Sequence, residues 1–183
     1  LRTLAAWDVT AARQLPLYIG VNLSPIQVAR DDVAAMVADA LATHRLSGHR
    51  LSIELTEGVI VSDPQRAGRM LEALKACDAQ VAMDDFGTGF SNLASLQKLP
   101  IDVLKIDRSF VTDMLGDPDR IAIVRAILSL AQALGMATTA EGIETPELAR
   151  TLAALGCTTG QGYHFSRPLP PEAALAFAVT SLG

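Results

Sequence analysis

Short apolar runs alternate with amphipathic stretches along almost the whole chain. Leu17-Tyr-Ile-Gly-Val21, Leu51-Ser-Ile-Glu-Leu55, Val81-Ala-Met83, Val103-Leu-Lys-Ile-Asp107, Ala137-Thr-Thr-Ala140 and the segment from Thr159 to Phe165 have the length and apolar content of buried strands. Between them apolar residues recur at helical spacing. Val33, Met36, Val37, Ala40 and Leu41 follow a cap at Asp31 or Asp32, and a helix starts at Asp63-Pro64 and runs through Cys77. A short helix is predicted over Asn92 to Lys98. A long one is opened by Asp119 and stopped by Gly135, one from Glu147 to Leu155 is closed by Gly156, and a last one runs from Pro171 to Leu182. A helix over residues 3–14, with Leu4, Trp7 and Ala11 on one face and Pro16 at its end, precedes the first strand. Strand and helix alternate six times, which calls for a parallel sheet with helices outside it.

An open doubly wound sheet and a closed barrel both satisfy that alternation. The strand ends favour the barrel. Asn22, Glu54, Asp84, Lys105, Glu141 and Gln161 stand 20 to 36 residues apart, each where a strand gives out. An open sheet gathers its ligands at one switch point, whereas a barrel gathers a residue from nearly every strand end onto one rim. Parity agrees. Residues i and i−2 of a strand share a face, and behind Asn22, Glu54, Asp84 and Glu141 lie Gly20, Ser52, Ala82 and Thr139. The opposite face carries Ile19 and Val21, Ile53 and Leu55, Val81 and Met83, Leu104 and Ile106. The large apolar side chains are therefore expected against the helices, and the polar and small ones toward the barrel axis. An eight-stranded barrel takes about 250 residues. The expectation is a (β/α)8 TIM-like barrel in one domain over 1–183, with six βα units visible and two strands and a helix belonging before Leu1.

Composition narrows the chemistry. Half of the 183 residues are apolar and mean hydropathy is +0.30, enough for a large core. No apolar run reaches the roughly 20 residues of a membrane span, so no membrane contact is expected from this segment. Cys77 and Cys157 make neither a disulfide framework nor a metal pair, which points to a reducing cytosol. A net charge of −5 with no basic tract argues against a nucleic-acid polymer as partner. An anionic substrate would need cations other than Lys and Arg.

The ring of polar strand ends supplies a place for such cations. Adjacent Asp84 and Asp85 repel unless a cation or proton lies between them. Each feature has a plain structural reading: Asp-Asp before glycine as a turn, Lys105 and Asp107 as a salt bridge, Glu141-Gly142 as a strand exit, Asn22-Leu-Ser-Pro25 as a helix-capping turn. Their placement on one rim is what favours a shared role. His44, His49 and His164 lack zinc spacing. The oxygen-rich set suits Mg²⁺ or Mn²⁺. One of the two aspartates could bridge two ions and the other complete the second. Ions about 3.5–4 Å apart suit in-line phosphoester hydrolysis, with Lys105 bonding or polarising the attacking water. Gly87-Thr-Gly89 matches no phosphate-binding fingerprint and is expected to form a mobile loop.

In order, Asn22-Leu-Ser24 with Gln27, Glu54-Leu-Thr-Glu57, Asp84-Asp-Phe-Gly-Thr-Gly89, Lys105-Ile-Asp107, Ala140-Glu-Gly-Ile-Glu144 and Gln161-Gly-Tyr163 resemble the motifs of EAL domains, from Leu1 to about Ala178. These are cyclic di-GMP phosphodiesterases on a modified (β/α)8 barrel, which open one phosphodiester to give linear pGpG with Mg²⁺ or Mn²⁺. The resemblance implies that Asn22, Glu54, Asp84, Asp85 and Glu141 bind two metal ions. It implies that Lys105 acts on the water and that Asp107 and Gln161 support the substrate. It also implies that Glu57 holds the loop Phe86, Gly87, Thr88, Gly89, Phe90, Ser91 and Asn92, which in this family reaches a dimer interface. Phe90 and Asn92 stand where Tyr and Ser are common. The family's Glu-Ala-Leu motif and the Arg after it are absent from this sequence. Ca²⁺ is expected to inhibit, because its coordination is longer and looser than that of Mg²⁺. A homodimer and fused sensor or GGDEF domains are the partners the resemblance implies, with the domain itself in the cytoplasm of a multidomain or membrane-anchored protein. The competing readings are an EAL-like receptor that binds cyclic di-GMP without cleaving it, and a barrel enzyme acting on another phosphodiester or a sugar phosphate.

Overall fold

The computed structural model describes residues 1–8, 17–30, 32–87 and 96–182. Six strands form one parallel sheet in the order β1 (Ile19–Asn22), β2 (Leu51–Thr56), β3 (Gln80–Phe86), β4 (Val103–Ile106), β5 (Ala137–Ala140) and β6 (Thr159–Gly160). Among the described residues the order never reverses, so they contain no switch point of the doubly wound kind. The sheet curls into a half-barrel, as the strand ends predicted.

The helices lie in sequence between the strands: α1 (Arg2–Asp8), α2 (Pro25–Arg30), α3 (Val33–His44), α4 (Glu57–Ser62), α5 (Pro64–Ala76), α6 (Arg108–Val111), α7 (Pro118–Ala133), α8 (Pro146–Ala154) and α9 (Pro171–Leu182). Local chemistry starts them. Asp32 caps α3 by accepting from the Ala35 amide, and Asp63 caps α5 by accepting from Arg66. Ser24 and Gln27 form a reciprocal capping box at α2: Gln27 N donates to Ser24 Oγ and Ser24 N donates to Gln27 Oε1.

Several boundaries differ from the sequence reading. α7 is opened by Asp117, which accepts from the amides of Asp119 and Arg120, with Pro118 in the first turn; Asp119 is already helical. α8 likewise starts one residue early, behind a Thr145 cap and Pro146. The last strand is two residues long rather than running to Phe165, because Gly162 takes a positive φ and the chain turns over 162–165. β3 extends to Phe86, past the expected Met83. Helices α2, α4 and α6, at four to six residues, are too short for periodicity to reveal. The end of the predicted 3–14 helix, Asp31 and most of the predicted 92–98 helix lie outside the described residues.

The faces of β2, β3 and β4 divide as parity required, but β1 departs from it: at the edge of the sheet Ile19 is only half-buried and Val21 is exposed. Ile53, Leu55, Val81, Met83, Leu104 and Ile106 are all buried beneath the helices. Gly20, Ser52, Ala82 and Thr139 line the concave face with Asn22, Glu54 and Lys105. Polar braces hold the lower end. Asp102 accepts from Lys75 Nζ at 2.8 Å and from the Val81 amide at 2.8 Å, tying α5 to the start of β3. Arg50 pairs with Asp8 at 2.9 Å, fastening α1 to the start of β2.

One glycine here has a purely steric duty. A Cβ on Gly48 would overlap the Cys77 carbonyl, a backbone atom that cannot swing away. Gly48→Ala is expected to destabilise the fold by about 1–3 kcal/mol, the range for overpacking, read as a lowered urea midpoint at unchanged m-value.

Candidate active site

Four neighbouring strands deliver one charged cluster to the concave face. Lys105 on β4 extends its ammonium between three carboxylates: Glu54 Oε2 at 2.6 Å from β2, Asp84 Oδ1 at 2.8 Å from β3, and Glu141 Oε1 at 2.6 Å just past β5. The lysine side chain is 7% exposed. Burial alone would push its pKa down, but hydrogen bonds to Asp84, Glu141 and Glu54 outweigh burial and hold the ammonium above the ordinary lysine range. In this arrangement the Lys105 ammonium is a hydrogen-bond donor to three carboxylates.

The strand below makes room for this arrangement. A Cβ at Gly20 would overlap Glu54 Oε1, so the small residue under Asn22 on β1 is what lets the Glu54 carboxylate lie across to the lysine. Asn22 stands level with Glu54 in the β1–β2 register. A cavity of about 430 Å³ brings Asn22, Glu54 and Lys105 together with Gln161. Gln161 is pinned by its backbone, donating to Ala140 O at 2.8 Å and accepting from Ile143 N at 3.1 Å.

The adjacent aspartates hold a feature that alternation could not reveal. β3 pairs with β4 through Ala82 to Val103 and Met83 to Leu104, then resumes at Phe86 to Ile106. Asp84 and Asp85 together therefore oppose the single residue Lys105. This is a β-bulge, and it places Asp85 at φ +54°. In a regular strand the two carboxylates would point to opposite faces. The left-handed residue breaks that alternation at the acid pair. Burial, then the charges of Asp84 and Asp107, push the Asp85 carboxyl above its ordinary range, against an opposing pull from Lys105.

Asp107 sits at the head of α6 and accepts from the Ser109 amide at 3.0 Å. Burial works against its charge, yet hydrogen bonds from Ser109 and Arg108 hold it below the ordinary carboxylate range. Its first duty is thus as a cap. Glu57, at the start of α4, is 8% exposed, and among the described residues neither of its carboxylate oxygens has a hydrogen-bond partner. Phe86, expected in the loop, is a buried residue of β3 and belongs to the hydrophobic core. Gly87 follows at φ +96°, where a Cβ would press on the Phe110 ring at 2.9 Å. Thr88, Gly89, Phe90, Ser91 and Asn92 lie outside the described residues.

The donor set fits a hard divalent cation. Three carboxylates against one ammonium leave a net charge of −2, and every candidate ligand is an oxygen. Among the described residues no three acidic, His or Cys side chains surround one point directly, because the ammonium of Lys105 stands between Glu54, Asp84 and Glu141.

A second cavity, of about 630 Å³, adjoins the cluster through Glu141 and Gln161 and is lined further by Arg108, Glu144 and Tyr163. Arg108 was missed in the sequence because it is the first residue of a four-residue helix rather than a strand end. Its place directly after Asp107 was the available signal.

Comparison with known proteins follows the same outline. The family model described as "EAL domain" matches residues 1–168. The bifunctional diguanylate cyclase/cyclic di-GMP phosphodiesterase MucR of Pseudomonas aeruginosa is 40% identical over 158 residues, 86% of this chain and 23% of MucR. The chain thus spans about a quarter of the length of such curated relatives. The PaMucR phosphodiesterase, solved as a c-di-GMP complex, is 38% identical with a TM-score of 0.87, covering 94% of this chain and 69% of that one. The EAL domain of Mycobacterium smegmatis DcpA is 36% identical with a TM-score of 0.90, covering 97% and 79%. Klebsiella pneumoniae BlrP1, solved with manganese and cyclic di-GMP, is 31% identical with a TM-score of 0.77, covering 91% and 43%.

Proposed function

The chain belongs to the EAL domain family, and on that premise we propose that it hydrolyses one phosphodiester of cyclic di-GMP to linear pGpG, lowering this second messenger in bacterial signalling. The observation that carries the proposal is the convergence of Glu54, Asp84 and Glu141 on the buried ammonium of Lys105. Three strands would not hold their acids together on a concave rim for stability alone, since like charges gathered there repel.

In this reading Asn22, Glu54, Asp84, Asp85 and Glu141 hold two Mg²⁺ or Mn²⁺ ions. The ions, when bound, neutralise the phosphate and supply an activated water. The protein's own part is positioning. Lys105 donates a hydrogen bond to the water and counters the charge that develops on the phosphoryl oxygens. The bulge at Asp84-Asp85 turns both acids to the site. Asp107 fixes the start of α6, Gln161 borders the substrate between the two cavities, and Glu57 anchors the loop that begins at Gly87. That loop would also carry a homodimer contact.

The open edges of β1 and β6 would accept the remaining strands of an eight-stranded barrel. Among the described residues neither edge has a strand partner. No helix is long and apolar enough to cross a membrane. The free thiols of Cys77 and Cys157 suit a cytoplasmic domain, and a chain covering a quarter of MucR suits a module fused to sensor or GGDEF domains.

Incubation with cyclic di-GMP and Mn²⁺, followed by nucleotide chromatography, tests the activity. Linear pGpG is expected with Mn²⁺ or Mg²⁺ and none with Ca²⁺ alone. Tight binding without product would replace the enzyme by a receptor.

A further inference from the structure

We propose that Arg108 reads the O6/N7 edge of a guanine in the substrate and is a specificity-determining residue; the inference rests on the cyclic di-GMP reading above. Arg108 lines the 630 Å³ cavity, which includes Glu141 of the charged cluster and shares Gln161 with the 430 Å³ cavity beside it, so a dinucleotide whose phosphate lies at Lys105 extends one nucleoside toward it. The residue is exposed, and among the described residues its guanidinium has no ion pair and no hydrogen bond to another side chain. Arg120, on the same cavity wall, is differently employed. Its guanidinium bonds Asp117 at 3.2 Å, Thr112 O at 2.9 Å and the Ser109 carbonyl. Arg120 is therefore a strut that fixes α6, and among the described residues lining this cavity Arg108 is the cation left over.

The backbone places Arg108 deliberately. Gly142 has φ +71°, and a Cβ there would come 2.6 Å from the Arg108 Cβ. The missing side chain lets the head of α6 lie against the loop leaving β5, beside Glu141.

The surroundings select a base over a phosphate. Asp113, Glu141 and Glu144 line the same cavity and would repel a second phosphate. They suit a ring that also has donors. Guanine offers N1–H and N2–H to a carboxylate and O6 and N7 to an arginine fork, while adenine presents an N6 donor where guanine has O6. Tyr163 adds an aromatic wall to the cavity.

The test is steady-state turnover of cyclic di-GMP and of its 7-deazaguanine analogue, by the wild-type protein and by Arg108→Met. Wild type is expected to prefer cyclic di-GMP in kcat/KM. The variant should lose about tenfold on cyclic di-GMP, chiefly in KM, and should no longer discriminate against the analogue. Because Arg108 is exposed, its melting temperature should not move. A wild type that treats the two nucleotides alike, or a variant with unchanged KM, overturns the assignment. An equal loss on both nucleotides places Arg108 on a phosphate and also overturns it. A wild type that neither binds nor cleaves cyclic di-GMP overturns the functional reading, and this inference with it.

Discussion

Lys105→Met is expected to lower turnover by roughly 10²–10³, the range for losing one preorganised donor at a developing charge. The same change should destabilise the apo protein by about 3 kcal/mol, because it strands three partly buried carboxylates without their counter-charge. Glu54, Asp84 and Glu141 are 16%, 14% and 20% exposed, so water screens them only in part. The two effects separate on adding Mg²⁺. A divalent ion can replace the lost positive charge and should restore most of the melting temperature, while turnover stays low because the donor to the water is gone. Stability lost equally with and without Mg²⁺ would show that the acids do not hold a metal. Asp84→Asn should act oppositely: one fewer repulsion, little loss of stability, and no turnover. A rate near wild type in either variant refutes the assigned roles. The direction of the Lys105 shift also sets its pH signature. A lysine raised above its ordinary value contributes stability that is complete below that value and is lost only as pH climbs through the folded one. The cluster should therefore be insensitive to pH across the neutral range and fail in strong alkali.

Glu57→Gln is expected to cut turnover and apparent Mn²⁺ affinity roughly 10- to 100-fold, the range for residues that orient a metal's own ligands, while leaving stability unchanged or improved. A carboxylate 8% exposed with, among the described residues, neither oxygen bonded is costly to bury. A residue there for packing alone would be better as an amide or a leucine, and Glu57→Leu should raise the urea midpoint. The test is the pairing of the two readouts. Lower activity with equal or higher stability assigns Glu57 to the loop after Gly87. Lower activity that merely follows lower stability, or unchanged Mn²⁺ dependence, returns it to the core.

Much of this site was legible beforehand because a parallel strand has a strict period of two. Gly20 behind Asn22, Ser52 behind Glu54 and Ala82 behind Asp84 announced the concave face, and that face is where those residues lie. Motif order then supplied Glu57, Asp107 and Gln161. The helices α2, α4 and α6 were not legible, since each spans little more than a turn and has no periodicity to read. The caps Asp117 and Thr145 were misplaced because Pro118 and Pro146 belong inside the first turn, where a missing amide does no harm.

The sequence by itself determined the parallel α/β order, the face each strand turns inward, and the residue types that could share a cation. These are one-dimensional properties of spacing and side-chain chemistry. Only the tertiary structure decided how they meet. It set Lys105 at hydrogen-bond distance from three acids on three other segments, which depends on register between strands far apart in the chain. It put two aspartates opposite one lysine by a bulge that no alternation pattern encodes, because the break lies in pairing with β4 and not in β3 alone. And among the described residues it left Arg108 unpaired beside Glu141 while Arg120 bonds backbone carbonyls, a difference between two like residues that their neighbours in space alone create.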